Sequence, residues 1–69
     1  MNMKVNEKFL SKMKEDKKDV DIYLSNKVML TGKIVDFDEM CILLDTMCLV
    51  YYNNIISIKI SNIVTKWFL

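Results

Sequence analysis

The sequence predicts a mainly β fold of the α+β class, with one N-terminal helix followed by five short strands in a strongly bent antiparallel sheet or barrel. The first observation is a change in the spacing of hydrophobic residues. The spacing is that of a helix up to about residue 18, and hydrophobic and polar residues alternate from Val20 onward. The second is the short spacing of turn-forming residues, which divides residues 20–60 into five alternating or apolar segments. Strands joined by such short turns are antiparallel neighbours, and a sheet this small must curl to enclose a core. We therefore expect residues 1–69 to form a single domain.

An amphipathic helix is predicted over residues 6–18, "NEKFLSKMKEDKK". Phe9, Leu10 and Met13 share one face, and charged side chains cover the other. Asn6 is the expected N-cap, because its side-chain oxygen can accept a backbone N–H that the first turn leaves unpaired. The narrow apolar face predicts a helix that packs on the sheet and is not stable alone.

The five strands are predicted from short apolar or alternating segments. They are "VDIYLS", the segment from Val28 to about Phe37, "CILLD", "CLVYY" and "IISIKIS", with turns at "SNK", near Thr46 and at "NN". Gly32 is the only glycine in the chain and lies inside the longest of these segments. Because glycine tolerates sharp bends and close backbone approach, we expect Gly32 to mark the point where this strand bends to serve both halves of the sheet.

The small size of the chain predicts a need for additional stabilisation. A chain of 69 residues buries only about 60% of its unfolded surface. Two cysteines and the absence of His argue against a disulfide framework and a tetrahedral metal site. Hydrophobic residues make up 52% of the chain, and Lys59 is the single charged residue of the last strand. The open sheet edges are therefore expected to pair between copies, which gives a ring if the head-to-tail contact closes.

Acidic residues cluster at Asp36, Asp38 and Glu39, which raises the question of a metal or acid–base site. Alternation along an extended chain puts Asp36 and Asp38 on one side and Glu39 on the other, which disfavours convergence on one ion. The absence of His also removes the commonest general base. We expect no catalytic residue, no metal and no cofactor, and a structural Asp38 that accepts backbone hydrogen bonds at a bend between strands. A metal-dependent enzyme built on these carboxylates is the least favoured of three functions.

Charge and hydropathy limit the compartment and the partners. No apolar run approaches the roughly 18 residues of a membrane span, and the charged N-terminal segment does not resemble an export signal. We expect a cytoplasmic protein with reduced Cys41 and Cys48. The net charge is +1, so a basic surface for nucleic acid would be local, and six of the ten lysines lie in the first 18 residues. The apolar C-terminal extension, residues 61–69, is expected to pack on the assembled protein or to extend the last strand, and docking of a partner or of a second ring is the alternative.

Three segments resemble the Hfq family, the bacterial and archaeal branch of the Sm/LSm RNA-binding proteins: "FLSKMK", "DIYLSNKVMLTGKIVDFDEMCILLD" and "LVYYNNIISI". The similarity extends from about Asn6 to Ile60. It is most specific around Gly32 and the Phe37–Asp38 pair, which are similar to the Sm1 motif, and weaker in the part similar to the Sm2 motif. The helix-first order is more similar to Hfq than to the eukaryotic Sm proteins.

The resemblance implies an Sm-like fold assembled as a ring, usually of six subunits, in which strand four of one subunit pairs with strand five of the next. It implies a non-catalytic RNA chaperone that acts in post-transcriptional regulation by small RNAs, with U-rich or A-rich single strands as partners. The family binds RNA on a proximal face near the pore, on a distal face and on a lateral rim. The runner-up function is a structural or protein-interaction ring that keeps the fold while its RNA-binding faces have changed.

On the proximal face, the matching positions are Asn6, Glu39, Met40, Tyr52, Asn53 and Asn54. Met40 stands where the family usually has an aromatic residue for stacking uracil, and the two Asn residues stand where it usually has Lys-His. Glu39 replaces a neutral Gln. We therefore expect weakened or altered uridine binding on this face.

On the distal face, the matching positions are Tyr23, Val28, Met29, Leu30, Thr31, Leu49 and Ile58. The resemblance implies that Tyr23 and Leu30 sandwich a purine. On the lateral rim, Lys14 and Lys17 match positions that are Arg in many relatives, and Lys18 lies beside them. Because Lys lacks the planar fork of Arg, we expect reduced annealing activity at the rim.

Overall fold

The computed structural model describes residues 5–61, which form one helix and a five-stranded antiparallel sheet. The elements are α1 (Val5–Asp16), β1 (Asp19–Leu24), β2 (Met29–Phe37), β3 (Cys41–Leu44), β4 (Leu49–Tyr51), a 3₁₀ turn (Tyr52–Asn54) and β5 (Ile55–Ile60). The predicted fold class is therefore confirmed. The predicted C-terminal extension comprises residues 61–69, and its part from residue 62 onward lies outside the described residues.

The start of helix α1 differs from the prediction. The helix begins by Val5, so Asn6 lies within the first turn and is not the N-cap. Its side-chain oxygen does accept a hydrogen bond from the backbone N–H of Glu7, at 3.0 Å. The Asn6 side chain thus satisfies one of the unpaired N–H groups of the first turn, although Asn6 itself lies inside the helix.

Helix α1 ends two residues before the predicted boundary, in a Schellman motif. Lys17 has a positive φ of 55°. Its N–H donates to the carbonyl of Lys14 at 3.3 Å, and the N–H of Lys18 donates to the carbonyl of Met13 at 3.2 Å. These two bonds satisfy carbonyls that the last turn leaves free and turn the chain into β1.

The strand order in the sheet is β4-β3-β2-β1-β5. Strand β2 connects the two halves, because its first part pairs with β1 and its second part pairs with β3. The register shifts between Ile34 and Asp36, which leaves Val35 as a bulge. A bulge bends the strand that carries it and increases the local twist. The bulge at Val35 therefore favours a bend of β2 between the two halves.

Gly32, the predicted bend point, has a further role in the packing of the β3–β4 loop. It is buried, pairs in regular register with Val20 and has no positive φ. A Cβ added at Gly32 would lie 2.9 Å from the side-chain oxygen Oδ1 of Asp45. That oxygen accepts the backbone N–H of Lys33 at 3.0 Å, and the N–H of Asp45 donates to the carbonyl of Lys33 at 2.8 Å. The glycine therefore leaves room for a carboxylate that pins the β3–β4 loop to β2.

The two hairpin loops, residues 25–27 and 45–47, share one geometry. In each, the last loop residue donates its N–H to the carbonyl of the residue before the loop, at 3.0 and 2.9 Å. Lys27 and Met47 hold positive φ values of 70° and 67° in these positions. A three-residue hairpin loop usually has glycine there, so each loop carries a side chain in a conformation that costs roughly 1–2 kcal/mol.

The core is formed by side chains of helix α1 and of one face of the sheet. Its buried side chains are Leu10, Met13, Val20, Ile22, Ile34, Ile42, Leu44 and Val50. Full burial of each such side chain contributes roughly 1.5–3 kcal/mol. The predicted anchor residues of the helix are thus confirmed at Leu10 and Met13, and Phe9 packs against the cluster from its margin.

Both edge strands keep exposed apolar side chains. Leu49 and Tyr51 on β4 are 57% and 45% exposed, and Ile56 and Ile60 on β5 are 69% and 50% exposed. Open edges with apolar side chains favour pairing with another chain. Pairing of these edges between copies would cover these side chains.

We expect Gly32→Ala and Asp45→Ala to be destabilising and strongly non-additive. The new Cβ displaces the Asp45 carboxylate and removes its bond to the Lys33 N–H, a loss of about 1 kcal/mol. Because Asp45→Ala removes the same bond, the double variant should cost little more than either single variant. Urea unfolding of the four proteins at one protein concentration measures this coupling, and additive losses would contradict it.

Candidate nucleic-acid interfaces

The face of the sheet opposite Val20 and Ile22 carries a group of side chains centred on β1, which lies between β2 and β5. Residues paired across antiparallel strands project on the same face. Tyr23 pairs with Met29 on one side and Ser57 on the other, and Asp21 pairs in the same way with Thr31 and Lys59. We call this surface the Tyr23 face, consisting of Asp21, Tyr23, Met29, Thr31, Ser57 and Lys59.

Polar side chains on the Tyr23 face are held by short contacts. Thr31 Oγ1 donates to Asp21 Oδ1 at 2.7 Å, and Asp21 is only 8% exposed. In the next row, Lys33 Nζ contacts Asp19 Oδ1 at 2.8 Å, and this hydrogen bond raises the pKa of Lys33. The ammonium of Lys59 lies 5.6 Å from the centre of the Tyr23 ring. The face thus combines an aromatic ring, hydrogen-bonding groups and an exposed cation.

The structure separates the residues predicted for the distal face. Tyr23, Met29 and Thr31 share the Tyr23 face. Leu30 and Ile58 both pair with Ile22, so they project to the opposite side and pack against the core. The predicted sandwich of a purine between Tyr23 and Leu30 therefore cannot form within one chain and needs Leu30 of a second copy.

The other two predicted distal residues lie outside the Tyr23 face. Val28 is 43% exposed and precedes β2, and Leu49 lies on edge strand β4 in the other half of the sheet. Residue patterns alone missed Asp21, Ser57 and Lys59. The alternation within "IISIKIS" groups Ser57 with Lys59, but only the register of β5 against β1 brings them to Tyr23.

The predicted proximal residues come together at the 3₁₀ turn. The N–H of Tyr52 donates to the carbonyl of Met40 at 3.1 Å, and Met40 is 61% exposed. Asn6 and Tyr52 line one open apolar groove together with Phe9. Asn53 and Asn54 are exposed, and the carbonyl of Asn54 accepts the N–H of Ser25 at 2.9 Å. Glu39 is also exposed in the segment before Met40.

Negative charge surrounds this proximal cluster. Burial is the main cause of a raised pKa at Tyr52, and the charges of Asp38, Glu7 and Glu39 raise it further. The carboxylates of three residues thus act on one tyrosine. Carboxylates close to Tyr52 disfavour the approach of a phosphate to this tyrosine.

Asp38 has the structural role that the sequence predicts. Its Oδ1 accepts the backbone N–H groups of Met40 at 2.7 Å and Cys41 at 3.0 Å. These backbone hydrogen bonds lower the pKa of Asp38. The bonds close the turn from β2 into β3, and that turn presents Glu39 and Met40 to solvent.

The carboxylates at 36–39 do not form a shared site. Asp36 Oδ1 contacts Lys14 Nζ at 3.1 Å and accepts the N–H of Phe37 at 2.9 Å. The backbone bond to Phe37 and the bond to Lys14 lower the pKa of Asp36. Within residues 5–61, no three acidic, cysteine or histidine side chains converge as metal ligands would.

The predicted rim residues differ in their surroundings. Lys14 is paired with Asp36, which neutralises part of its charge. Lys17 is exposed at the helix C-terminus in the positive-φ position, and Lys18 is exposed beside it. Local sequence pattern could not predict the Lys14–Asp36 pair, because the two residues are 22 positions apart.

No helix within residues 5–61 is long and apolar enough to cross a membrane.

A helix that covers a bent sheet of order β4-β3-β2-β1-β5, with two open edges, defines an Sm-like protein. Residues 5–65 match the family model described as Hfq protein. The chain therefore belongs to the Hfq family of Sm-like RNA-binding proteins.

Solved structures agree with this fold. A 1.55 Å crystal structure of Hfq, described as a pleiotropic translational regulator, is similar with a TM-score of 0.79 and 20% sequence identity. The similarity covers 83% of this chain and 100% of that one. No curated protein matches the sequence significantly.

Asp38→Asn should destabilise the protein in a pH-dependent way. The folded state lowers the pKa of Asp38 below its ordinary value of 3.8, so the ionised carboxylate adds stability above that pH. This contribution is lost as pH falls through the folded pKa. We expect the urea midpoint of the variant to lie below that of wild type at pH 7 and the two to converge below about pH 4.

Glu39→Gln is the control, because it removes a neighbouring charge and leaves both hydrogen bonds of Asp38 in place. A gap between wild type and Asp38→Asn that stays constant from about pH 7 to about pH 3 would contradict the role of the carboxylate.

Proposed function

We propose that the chain forms a homohexameric ring that binds single-stranded, A-rich RNA on the Tyr23 face and acts as an RNA chaperone in post-transcriptional regulation by small RNAs. The observation that carries this proposal is the Tyr23 face itself, with an aromatic ring and an exposed cation in contact on neighbouring strands of the sheet. Bases stack on aromatic rings with roughly 1–3 kcal/mol per base, and lysines attract the phosphates.

Assembly is supported by the positions of the two open edges. Strands β4 and β5 lie at opposite ends of the strand order, so pairing β4 of one copy with β5 of the next repeats head to tail. Such a ring hides the apolar edge residues and repeats the Tyr23 face once per subunit. A repeated face fits a repetitive single strand.

The proximal face contributes less to RNA binding in this proposal. The Tyr52 cluster has carboxylates around it, Met40 in place of an aromatic residue, and two uncharged side chains at Asn53 and Asn54. Uridine binding there loses both stacking and phosphate attraction. We therefore assign the principal affinity to A-rich sequences.

A protein-interaction ring without RNA binding is the second candidate. It is favoured by the neutralisation of Lys14 by Asp36 and by the acidic surroundings of Tyr52. In that case the Tyr23 face serves another ligand.

Light scattering should report a hexamer of the 8.2 kDa chain at micromolar concentration. Ile56→Lys, on edge strand β5, should dissociate it, because Ile56 is 69% exposed in one chain and the new charge would lie at the subunit contact. Val35→Lys, on central strand β2, is the matched control and should leave the ring intact. Circular dichroism checks that each subunit remains folded. A wild-type monomer would contradict the ring.

Fluorescence anisotropy with oligo-A and oligo-U at two salt concentrations tests the RNA-binding function. We expect oligo-A to bind more tightly, with affinity that falls as salt rises because phosphate contacts release counterions. Tyr23→Ala should weaken oligo-A binding about tenfold or more because the base can no longer stack, and Tyr23→Phe should preserve it.

Two results would contradict parts of this function. If neither oligomer binds at low salt, the ring does not bind RNA and the second candidate is favoured. If oligo-U binds tightly and Tyr52→Ala abolishes that binding, the proximal face retains its uridine site.

A further inference from the structure

Lys59 occupies an unusual position for a charged residue. It is the only charged residue of β5, in the segment "IISIKI", and it projects on the Tyr23 face. The general role of an isolated lysine on an edge strand is to discourage unwanted strand pairing, and this role requires no further contact. The contact of Lys59 with Tyr23 points to a more specific role, because its ammonium lies above the ring at 5.6 Å from the centroid.

The charge of Lys59 has no carboxylate partner among the described residues. Within residues 5–61, ion pairs engage Lys12, Lys14 and Lys33, and none of them involves Lys59. Its register partner Asp21 is 8% exposed, and Asp21 Oδ1 already accepts the hydroxyl of Thr31. The ammonium therefore rests on an aromatic face at the surface, where the attraction is weak and a stronger anionic partner can replace it.

We propose that Lys59 is a phosphate-binding residue of the Tyr23 face, which holds the backbone of a single-stranded oligonucleotide whose base stacks on Tyr23. In the free protein the ammonium covers the Tyr23 ring. When a base stacks on that ring, the flexible four-carbon side chain moves aside and its ammonium binds the phosphate of the same nucleotide. This inference rests on the RNA-binding function proposed above and names a residue that is not among the RNA-binding positions implied by the family resemblance.

The strands on the two sides of Tyr23 carry different side chains, and this difference determines on which side the phosphate of a bound nucleotide lies. Met29 flanks Tyr23 on β2 and offers only an apolar surface, whereas Lys59 lies on β5. The nearest β2 cation, Lys33, is held by Asp19 at 2.8 Å. The phosphate of a nucleotide stacked on Tyr23 is therefore directed toward β5, the edge that pairs with the next subunit in the proposed ring.

Salt-dependent binding of oligo-A to the assembled protein tests this role. Lys59→Met should weaken binding about fivefold or more at low salt, and should reduce the slope of log affinity against log salt by about 0.7 for each phosphate that no longer binds a lysine. Lys59→Arg keeps the charge and should retain both the affinity and the slope. Lys12→Met is the control, because Lys12 is an exposed lysine on α1 paired with Asp16, and it should leave the slope unchanged.

The outcomes separate this inference from the proposed function. Wild-type protein that binds no oligo-A at low salt overturns the proposed function and the inference with it. If wild type binds and Tyr23→Ala weakens binding, but Lys59→Met binds equally well or more tightly with the same slope, then Lys59 only covers the ring and the inference alone is wrong. A decrease of affinity in Lys59→Arg equal to that in Lys59→Met also overturns it, because phosphate binding needs only the charge. Light scattering and circular dichroism confirm assembly of each variant before binding is measured.

Discussion

The structure depends on one strand that belongs to two half-sheets. The first part of strand β2 pairs with β1 and its second part pairs with β3. The two half-sheets therefore enclose a core only if β2 bends between these two parts. The bulge at Val35 favours this bend, and Asp45 fixes the β3–β4 loop to β2 through two backbone bonds of Lys33. Gly32 leaves the space for that carboxylate. A side chain at Gly32 would displace the Asp45 carboxylate and weaken the attachment of the β3–β4 loop to β2.

The same junction places the candidate binding surfaces. With β2 shared, β1 becomes the centre of one half-sheet and receives β5 on its free side, which brings Lys59 to Tyr23. The other end of β2 runs into the turn closed by Asp38, and that turn positions Met40 beside Tyr52. One face therefore collects an aromatic ring with a cation, whereas the other collects carboxylates around a tyrosine. The difference in charge between the faces follows from register, not from composition.

Sequence reasoning predicted what depends on local pattern. Alternation indicated the order and type of the helix and the five strands, and the turn chemistry of Asp38 followed from its place between two strands. The prediction of a cap at Asn6 was wrong, because the helix already includes Val5. The bulge at Val35 was not predicted, because it depends on the register of β2 against β3. Lys59 was missed, since the contact with Tyr23 requires the pairing of two strands that are far apart in sequence. The closing carboxylate at Asp45 could not be predicted for the same reason.

The small net charge of the chain makes the arrangement of charges more important than their number. Nine acids and ten lysines nearly cancel, so a phosphate meets attraction only where a lysine lacks a carboxylate neighbour. Among the described residues, Lys14 and Lys33 are paired with aspartates, and Lys59 is held by an aromatic ring. In the proposed ring this pattern would repeat in every subunit, so a modest preference in one subunit would become a strong preference for a strand that contacts several. In the proposed assembly, the charge pairs within one chain would therefore favour the Tyr23 face over the face that carries Tyr52 as the contact for a nucleic acid.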